Sequence, residues 1–505
     1  MADDSHERGF RNARGRQRPD VRRSGNRSRS ASRPSERRRE GDPARRAAYD
    51  VMRAVERGAY ANLELPRILR NAGLTGRDAA FATELTYGAI RMHGLYDPVI
   101  ELAAGRPVGQ IDPPVLATAR LGVHQLLGMR VPPHAAASET VALARSVNGA
   151  GAAGFVNAVL RRASERSRED WVAEVTAGRE RADALAVEYS HPVWVVRALR
   201  SALLGHGASD AEAVDADLVR LLAADNDPPR VSLVARPGLA DVGELVEAGA
   251  EASELSPVGA VLPGGDPASI AAVRQTRAAV QDEGSQLLAL ALAAAHVDDV
   301  GDDGEQWLDL CAGPGGKSAL LAVLAQQQGA VLFANEVSEH RTELVRSTLR
   351  AAIDAGAEVM IGTGDGRDLG REEPDTYDRV LVDAPCTGLG ALRRRPEARW
   401  RRSASDVSDL AALQRELLTS AIDATRPGGV IGYATCSPHL AETTTVVADV
   451  LGGRSDVVQE DARPLFRDAR GAQVDGLGDG PSVQLWPHLH GTDAMFFALI
   501  RKTAP

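Results

Sequence analysis

From Pro43 to about Ser167 apolar residues recur at three- and four-residue intervals: Ala47, Val51 and Val55, then Leu63, Leu65, Ile68 and Leu69. That spacing collects them on one face of successive helices. Breaks at Gly73, Pro107, Pro113–Pro114 and Pro132–Pro133 predict the turns between helices, because proline cannot continue a helix and glycine frees the backbone. Gly154 to Arg161 reads as a short, largely apolar helix closing this stretch. Residues 168–200 keep the helical period, with Tyr189-Ser-His-Pro-Val-Trp194 as a turn into a helix starting near Pro192. Between 225 and 275 the period changes. Short apolar runs (Val231 to Val234, Val261–Leu262) alternate with helical pieces (Val242 to Ala248, Ala268 to Val273), which predicts a small α+β module.

From about Val280 the pattern becomes strand–helix alternation. A helix follows Val280-Gln-Asp-Glu-Gly-Ser-Gln-Leu287, and strands are expected near Val331, Val359, Val380 and Val430. Such alternation predicts a doubly wound parallel sheet, whose ligands sit at the carboxyl ends of the strands. Trp307 to Ser318 fits that expectation best. Its apolar run ends in Cys311-Ala-Gly-Pro-Gly-Gly-Lys-Ser318, and a helical pattern starts at once from Ala319. Gly313, Gly315 and Gly316 let a ligand approach the backbone, and the helix start offers free N–H groups to a carboxylate or phosphate. A phosphate-binding P-loop needs glycine where Cys311 stands, and a dinucleotide fingerprint breaks at its third glycine. Glu336 lies about 20 residues further on, where an acid would meet ribose hydroxyls. The expected ligand is a nucleoside carrying a carboxylate rather than a triphosphate.

Three more strand ends carry reactive side chains. Asp365 follows the strand near Met360, Asp383-Ala-Pro-Cys386 follows the strand at Val380, and Thr435-Cys-Ser-Pro438 follows the strand at Val430. All three cysteines (Cys311, Cys386, Cys436) therefore end strands of one sheet. No ligand-spaced histidines accompany them, so no metal is expected. Thiol chemistry is expected of Cys386 and Cys436, while Cys311 packs or lends its backbone to the ligand. His191 is expected to be a structural turn histidine without a partner acid.

Composition narrows the setting. A chain of 505 residues with 44% hydrophobic and only 4% aromatic residues holds several domains packed by Ala, Leu and Val. Its net charge of −10 divides unevenly: residues 1–40 carry thirteen Arg and six acids, about +7, leaving about −17 for the rest. A basic, apolar-poor tail on an acidic body predicts a disordered segment over residues 1–43, either holding a polyanion locally or acting only as a solubilising tail. No run approaches the roughly 20 apolar residues that span a bilayer. Without a secretory segment, and with an odd cysteine count, a cytoplasmic protein with reduced thiols is expected.

Taken together, Val280-Gln-Asp-Glu-Gly-Ser-Gln, Cys311 to Ser318, Asp383-Ala-Pro-Cys386 and Ala434-Thr-Cys-Ser-Pro438 resemble the Sun/Fmu (RsmB) family of S-adenosylmethionine-dependent RNA 5-methylcytosine methyltransferases. The resemblance covers nearly the whole chain after residue 43. It departs where the family usually shows Ala for Gly313, Thr for Ser318 and Asp-Gly-Phe-Phe for Asp493 to Phe497. It implies a multidomain architecture: an all-α NusB-like RNA-binding domain at 44–167, a helical linker with a small α+β RNA-binding domain at 168–275, and an α/β Rossmann-like class I methyltransferase domain at 276–505. S-adenosyl-L-methionine is the implied cofactor. Cys311, Ala312, Gly313, Pro314, Gly315, Gly316 and Lys317 would hold its methionine end, Glu336 its ribose and Asp365 its adenine, with Asp383 near the methyl group. For catalysis the resemblance implies Cys436 as nucleophile, Asp383 hydrogen-bonding the base, and Cys386 assisting release. Pro385-Cys386 stays open as the rival nucleophile.

The partner implied is RNA, with ribosomal RNA of the small subunit the leading substrate, transfer RNA the alternative, and a monomer expected. The segment Arg393-Arg-Arg-Pro-Glu-Ala-Arg-Trp-Arg-Arg402 reads as RNA backbone contacts plus a stacking tryptophan. A different class of function, a non-catalytic RNA-binding assembly factor, would need a lost Cys436 or Asp383, and both are present.

Overall fold

Helices fill the chain from Pro43 to Ala224, and the expected breaks are where they start and stop. Pro43, Pro113 and Pro133 each open a helix (Pro43–Glu56, Pro113–Leu127, Pro133–Asn148), because a proline at the first helical position lacks only an N–H that would be unpaired anyway. Asp42 caps the first of them by accepting from the Arg45 N–H at 2.8 Å. The structure, a computed structural model, describes residues 41–298 and 304–504. The basic tail expected over 1–43 thus falls almost wholly outside the described residues.

The helical part closes around several apolar clusters, one built on Leu95, Val99, Val123, Val156 and Leu160, another on Val51, Leu65, Leu85 and Leu121, and a third on Leu199, Leu203, Leu218 and Leu222. A small antiparallel sheet follows, made of β1 (Val231–Ala235), β2 (Glu251–Ala252), β3 (Gly259–Leu262) and β4 (Ala278–Val280) in the order β2-β3-β1-β4. The strand β4 lies past the boundary expected at residue 275 and pairs with β1, Leu233 opposite Val280. It is three residues long, Ala-Ala-Val, too short an apolar run to mark a strand on its own.

The second sheet comprises β5 (Gln306–Asp309), β6 (Val331–Glu336), β7 (Val359–Thr363), β8 (Tyr377–Asp383), β9 (Thr425–Thr435), β10 (Val457–Glu460), β11 (Val483–Gln484) and β12 (Phe496–Lys502). Its order is β10-β12-β9-β8-β5-β6-β7, with β11 on β12. The five strands from β9 to β7 pair in parallel, and β12 runs antiparallel to β9. Successive residues face opposite sides. Trp307, Leu332, Leu381 and Val430 join one core cluster, whereas Leu308, Val380, Val382 and Ile431 join the other. Both faces are covered by helices, which is why the centres of these strands are apolar on both sides. From β5 the chain proceeds outward to β6 and β7, then returns to place β8 on the other side of β5. Connections leaving in opposite directions open a crevice at the carboxyl ends of β5 and β8.

Among the described residues, no helix is long and apolar enough to cross a membrane.

Candidate active site

At the end of β5 the backbone turns through Cys311–Gly315 into the helix Gly316–Gln327. Gly315 has φ +101°, and a Cβ there would stand 3.0 Å from the Thr348 side chain. The Ser318 hydroxyl donates to Asp309 Oδ2 at 2.7 Å, tying the helix's first turn to the strand. Burial pushes the Asp309 carboxyl up to about 7, against the lowering effect of that hydrogen bond.

Glu336, at the tip of β6, is buried. Its Oε2 accepts the Gly313 N–H at 3.1 Å and faces Arg341 at 3.3 Å, and its Oε1 accepts the Ser338 N–H at 3.0 Å. A Cβ on Gly313 would stand 2.1 Å from Glu336 Oε2, so a larger residue at 313 would make the end of the Glu336 side chain shift. Asn335 donates to the carbonyls of Leu310 and Gly364, both at 3.1 Å, which locks the ends of β5, β6 and β7 together. Asp365 is clamped by Arg367 at 2.6 Å, and this hydrogen bonding holds its carboxyl below the usual range. The pocket's floor is therefore acidic at two points and glycine-lined between them, which fits a ligand with ribose hydroxyls, a purine amine and an ammonium-bearing tail.

Cys386 and Cys436 meet across the end of the sheet with their Sγ atoms 3.3 Å apart. The two loops that carry them are held by one buried acid, Glu442. It accepts the Thr387 N–H at 2.7 Å, the Ser437 hydroxyl at 2.6 Å and the Gln414 amide at 3.3 Å, and also the Thr387 hydroxyl. Gln414 donates further to the Pro385 carbonyl at 2.8 Å. Gly390 completes the clasp: its N–H donates to the Cys436 carbonyl at 2.9 Å, and a Cβ there would stand 2.0 Å from the Ala494 carbonyl.

Electrostatics separate the two thiols. The hydrogen bond from Cys386 lowers Cys436 below the usual thiol value, with Lys317 and Arg395 adding to the effect against burial and Asp383. The same hydrogen bond, burial and the Glu442 charge push Cys386 well above it. Lys317 Nζ lies 2.8 Å from Asp383 Oδ2. Burial would lower the ammonium, but the neighbouring Asp383 outweighs it and holds Lys317 charged. Alkylation of Cys436 by iodoacetamide, followed by mass spectrometry, is therefore expected to have its half-point below that of an ordinary thiol. Reactivity falls as pH drops through that point, since the thiolate is the reacting form. A Cys386→Ala protein, lacking the S–H donor, is expected to show the half-point shifted upward; an unmoved profile would contradict this account.

Most of the arginine-rich segment does something other than expected. Arg399 is fully buried and donates to the carbonyls of Ser190 and Asp225 and to Asn226, at 2.9, 3.1 and 2.9 Å. Arg401 donates to the Val55 carbonyl at 3.0 Å and also to that of Ala59. Arg394 bridges Asp282 and Asp493 at 2.6 and 3.0 Å. Trp400 packs on His93, ring centroids 4.4 Å apart, inside the structure rather than on a face offered to RNA. Arg399 and Arg401 fasten the helical part to the sheet, because guanidinium groups can satisfy several carbonyls at helix ends. His191 is buried as expected of a turn residue, but it does have an acid beside it, Asp225 at 3.5 Å. Neither reaches the crevice.

A cavity of about 810 Å³ runs from the glycine loop to the thiols. Cys311, Gly313, Pro314, Lys317, Glu336, Asp365, Asp383, Cys386 and Cys436 line it, whereas Ala312, Gly315 and Gly316 shape the loop from behind. Sequence reading missed Asn335, Arg341, Gln414 and Glu442. For Gln414 a signal existed: it interrupts the helical apolar stripe Val407, Ala411, Leu418. Glu442 had a weaker one, an acid six residues after Cys436 in the same loop.

The family model for RsmB/F 16S rRNA methyltransferases matches residues 300–501, and that of the NusB family matches residues 42–165. Protein Rv1407 of Mycobacterium tuberculosis is 52% identical over 470 residues, covering 92% of this chain and 98% of its own length. The ribosomal RNA small subunit methyltransferase B of Erwinia tasmaniensis is 30% identical over 463 residues, covering 90% and 97%. The fold matches the crystal structure of PH0851 with a TM-score of 0.73, at 22% identity, over 93% of this chain and 99% of that one. With the glycine loop, the clamped acids and these relatives in place, the cofactor is S-adenosylmethionine. The chain belongs to the RsmB/F family of methyltransferases, with a NusB-like helical domain ahead of its catalytic part.

Proposed function

We propose that the protein methylates C5 of a cytosine in small-subunit ribosomal RNA through a transient bond between Cys436 and C6 of the base. One observation carries this reading: a thiol held low in proton affinity and a second held high stand 3.3 Å apart at the mouth of the cofactor crevice. Ribosomal RNA is favoured by the names of the relatives.

Cytosine C5 is a weak nucleophile until the ring is activated. Addition of the Cys436 thiolate to C6 breaks the C5–C6 double bond and makes C5 electron-rich. S-adenosylmethionine supplies an electrophilic methyl carbon. Asp383, held by Lys317, hydrogen-bonds the base at its N3 and exocyclic amino edge and keeps the ring in place while charge builds there. Once the Cys436 sulfur is bonded to carbon, the negative charge that raised Cys386 is gone. Cys386 can then release its proton to water in the open cavity; its thiolate takes the proton from C5, the C5–H electrons re-form the C5–C6 double bond, and Cys436 leaves with the electrons of the C6–S bond. Pro385-Cys386 as the attacking thiol is disfavoured by the same electrostatics, since Glu442 stands on its side and Lys317 on that of Cys436.

The protein, labelled S-adenosylmethionine and either small-subunit ribosomal RNA or transfer RNA decide the substrate. The expected product is 5-methylcytosine in the ribosomal RNA digest; label in another nucleoside would overturn the chemistry, and label only in transfer RNA the substrate. Glu336→Ala is expected to weaken cofactor binding by about 10- to 100-fold in calorimetry, the value of a lost charged hydrogen bond. An unchanged affinity would remove Glu336 from the ribose site.

A further inference from the structure

Six arginines lie between Arg393 and Arg402, and four have partners inside the fold. Arg395 and Arg402 differ. Both are exposed, both line the catalytic cavity, and neither side chain makes an ion pair or hydrogen bond among the described residues. The cavity lining also includes Gly58 and Tyr60, which belong to the helical domain.

Tyr60 is unusual for its position. The residue is 46% exposed, its side chain makes no capping hydrogen bond to the helix Ala61–Asn71, and its hydroxyl has no partner among the described residues. Local structure makes no use of it. The Arg401 guanidinium stands 5.0 Å from the ring centroid and is itself fixed to the Val55 and Ala59 carbonyls, so the ring is braced from behind. The Ala61 N–H also donates to Glu397 at 3.4 Å, which pins this segment to the arginine-bearing loop. A braced aromatic face and two unpaired guanidinium groups around one opening are the parts from which single-stranded nucleic acid sites are built.

We propose that Tyr60, Arg395 and Arg402 form a subsite for an unpaired nucleotide flanking the target cytosine: Tyr60 stacks on its base, and the two arginines hold the adjoining phosphates. The subsite rests on RNA being the substrate. It gives the helical domain a direct part in presenting the target, since extruding a base leaves its neighbour in need of a new stacking partner.

Full-length protein and small-subunit ribosomal RNA test it. Tyr60→Ala and Tyr60→Leu are each expected to raise the KM for RNA by about 5- to 100-fold, with Tyr60→Phe within about twofold of the wild type. Arg402→Ala is expected to flatten the dependence of log affinity on log salt by about 0.7 to 0.9. Thermal midpoint and cofactor affinity should not move in any of them, which separates a lost contact from a damaged fold. If the wild type methylates the RNA but these variants keep its KM and salt slope, the subsite is wrong while the reaction stands. If the wild type neither binds nor methylates RNA, both readings fall.

Discussion

A Cys386→Ala protein mixed with S-adenosylmethionine and RNA is expected to accumulate a covalent protein–RNA complex that survives denaturing electrophoresis. Cys436→Ala is expected to form none, and methyl transfer should fall by at least about 10⁴-fold, the scale seen when a covalent nucleophile is removed. The asymmetry follows from the charges around each sulfur. Lys317 and Arg395 favour the ionised form of Cys436, whereas Glu442 and burial keep Cys386 protonated until its neighbour is bonded to carbon. Without Cys386 the first half of the reaction proceeds and the elimination stalls. A trapped complex with Cys436→Ala instead of Cys386→Ala would exchange the two roles.

The second large effect is expected at a residue that touches neither substrate nor cofactor. Glu442→Ala leaves the Thr387 N–H with no acceptor in a buried site, and takes one partner each from the Thr387 and Ser437 hydroxyls and from the Gln414 amide, which keep only each other and the Pro385 carbonyl. Such a loss costs about 1–3 kcal/mol of stability, measurable by denaturant unfolding. Because the same carboxylate positions both thiol loops, methyl transfer should also fall by about 100-fold or more. Cofactor affinity should hold, since the glycine loop is anchored separately through Asp309 and Ser318. Weaker cofactor binding in step with lost activity would show that the two sites are one mechanical unit.

Much of the fold was legible because each part advertises itself by period. The parallel strands have apolar centres, the proline breaks mark helix starts, and the glycine loop with its four strand-end motifs lands at the crevice. What could not be read was whatever depends on a distant partner. The strand β4 is defined by its pairing to β1 and not by its three residues. The strand β12 joins the sheet antiparallel, from a stretch following long irregular segments, and no helical crossover announces it. Charge was the most misleading signal. Arginines in a row look like a surface for polyanions, yet a guanidinium with five donors is equally suited to closing off helix ends, and here most of them do that. Only neighbours remote in sequence decide which role each takes. Glu442 was missed for the same reason, as three of the donors that surround it come from two other segments.

The anchoring of Arg399 and Arg401 in carbonyls of the helical part has an outcome for how this protein can vary. Cutting the chain between its halves would strand two cations on a freshly wetted, partly apolar face, with Trp400 laid bare beside them. The catalytic half is thus not a portable cassette: a substitute front end must bring matching acceptors at the ends of its own helices. Recombination that swaps one half without the other is disfavoured, and the two are expected to be inherited together.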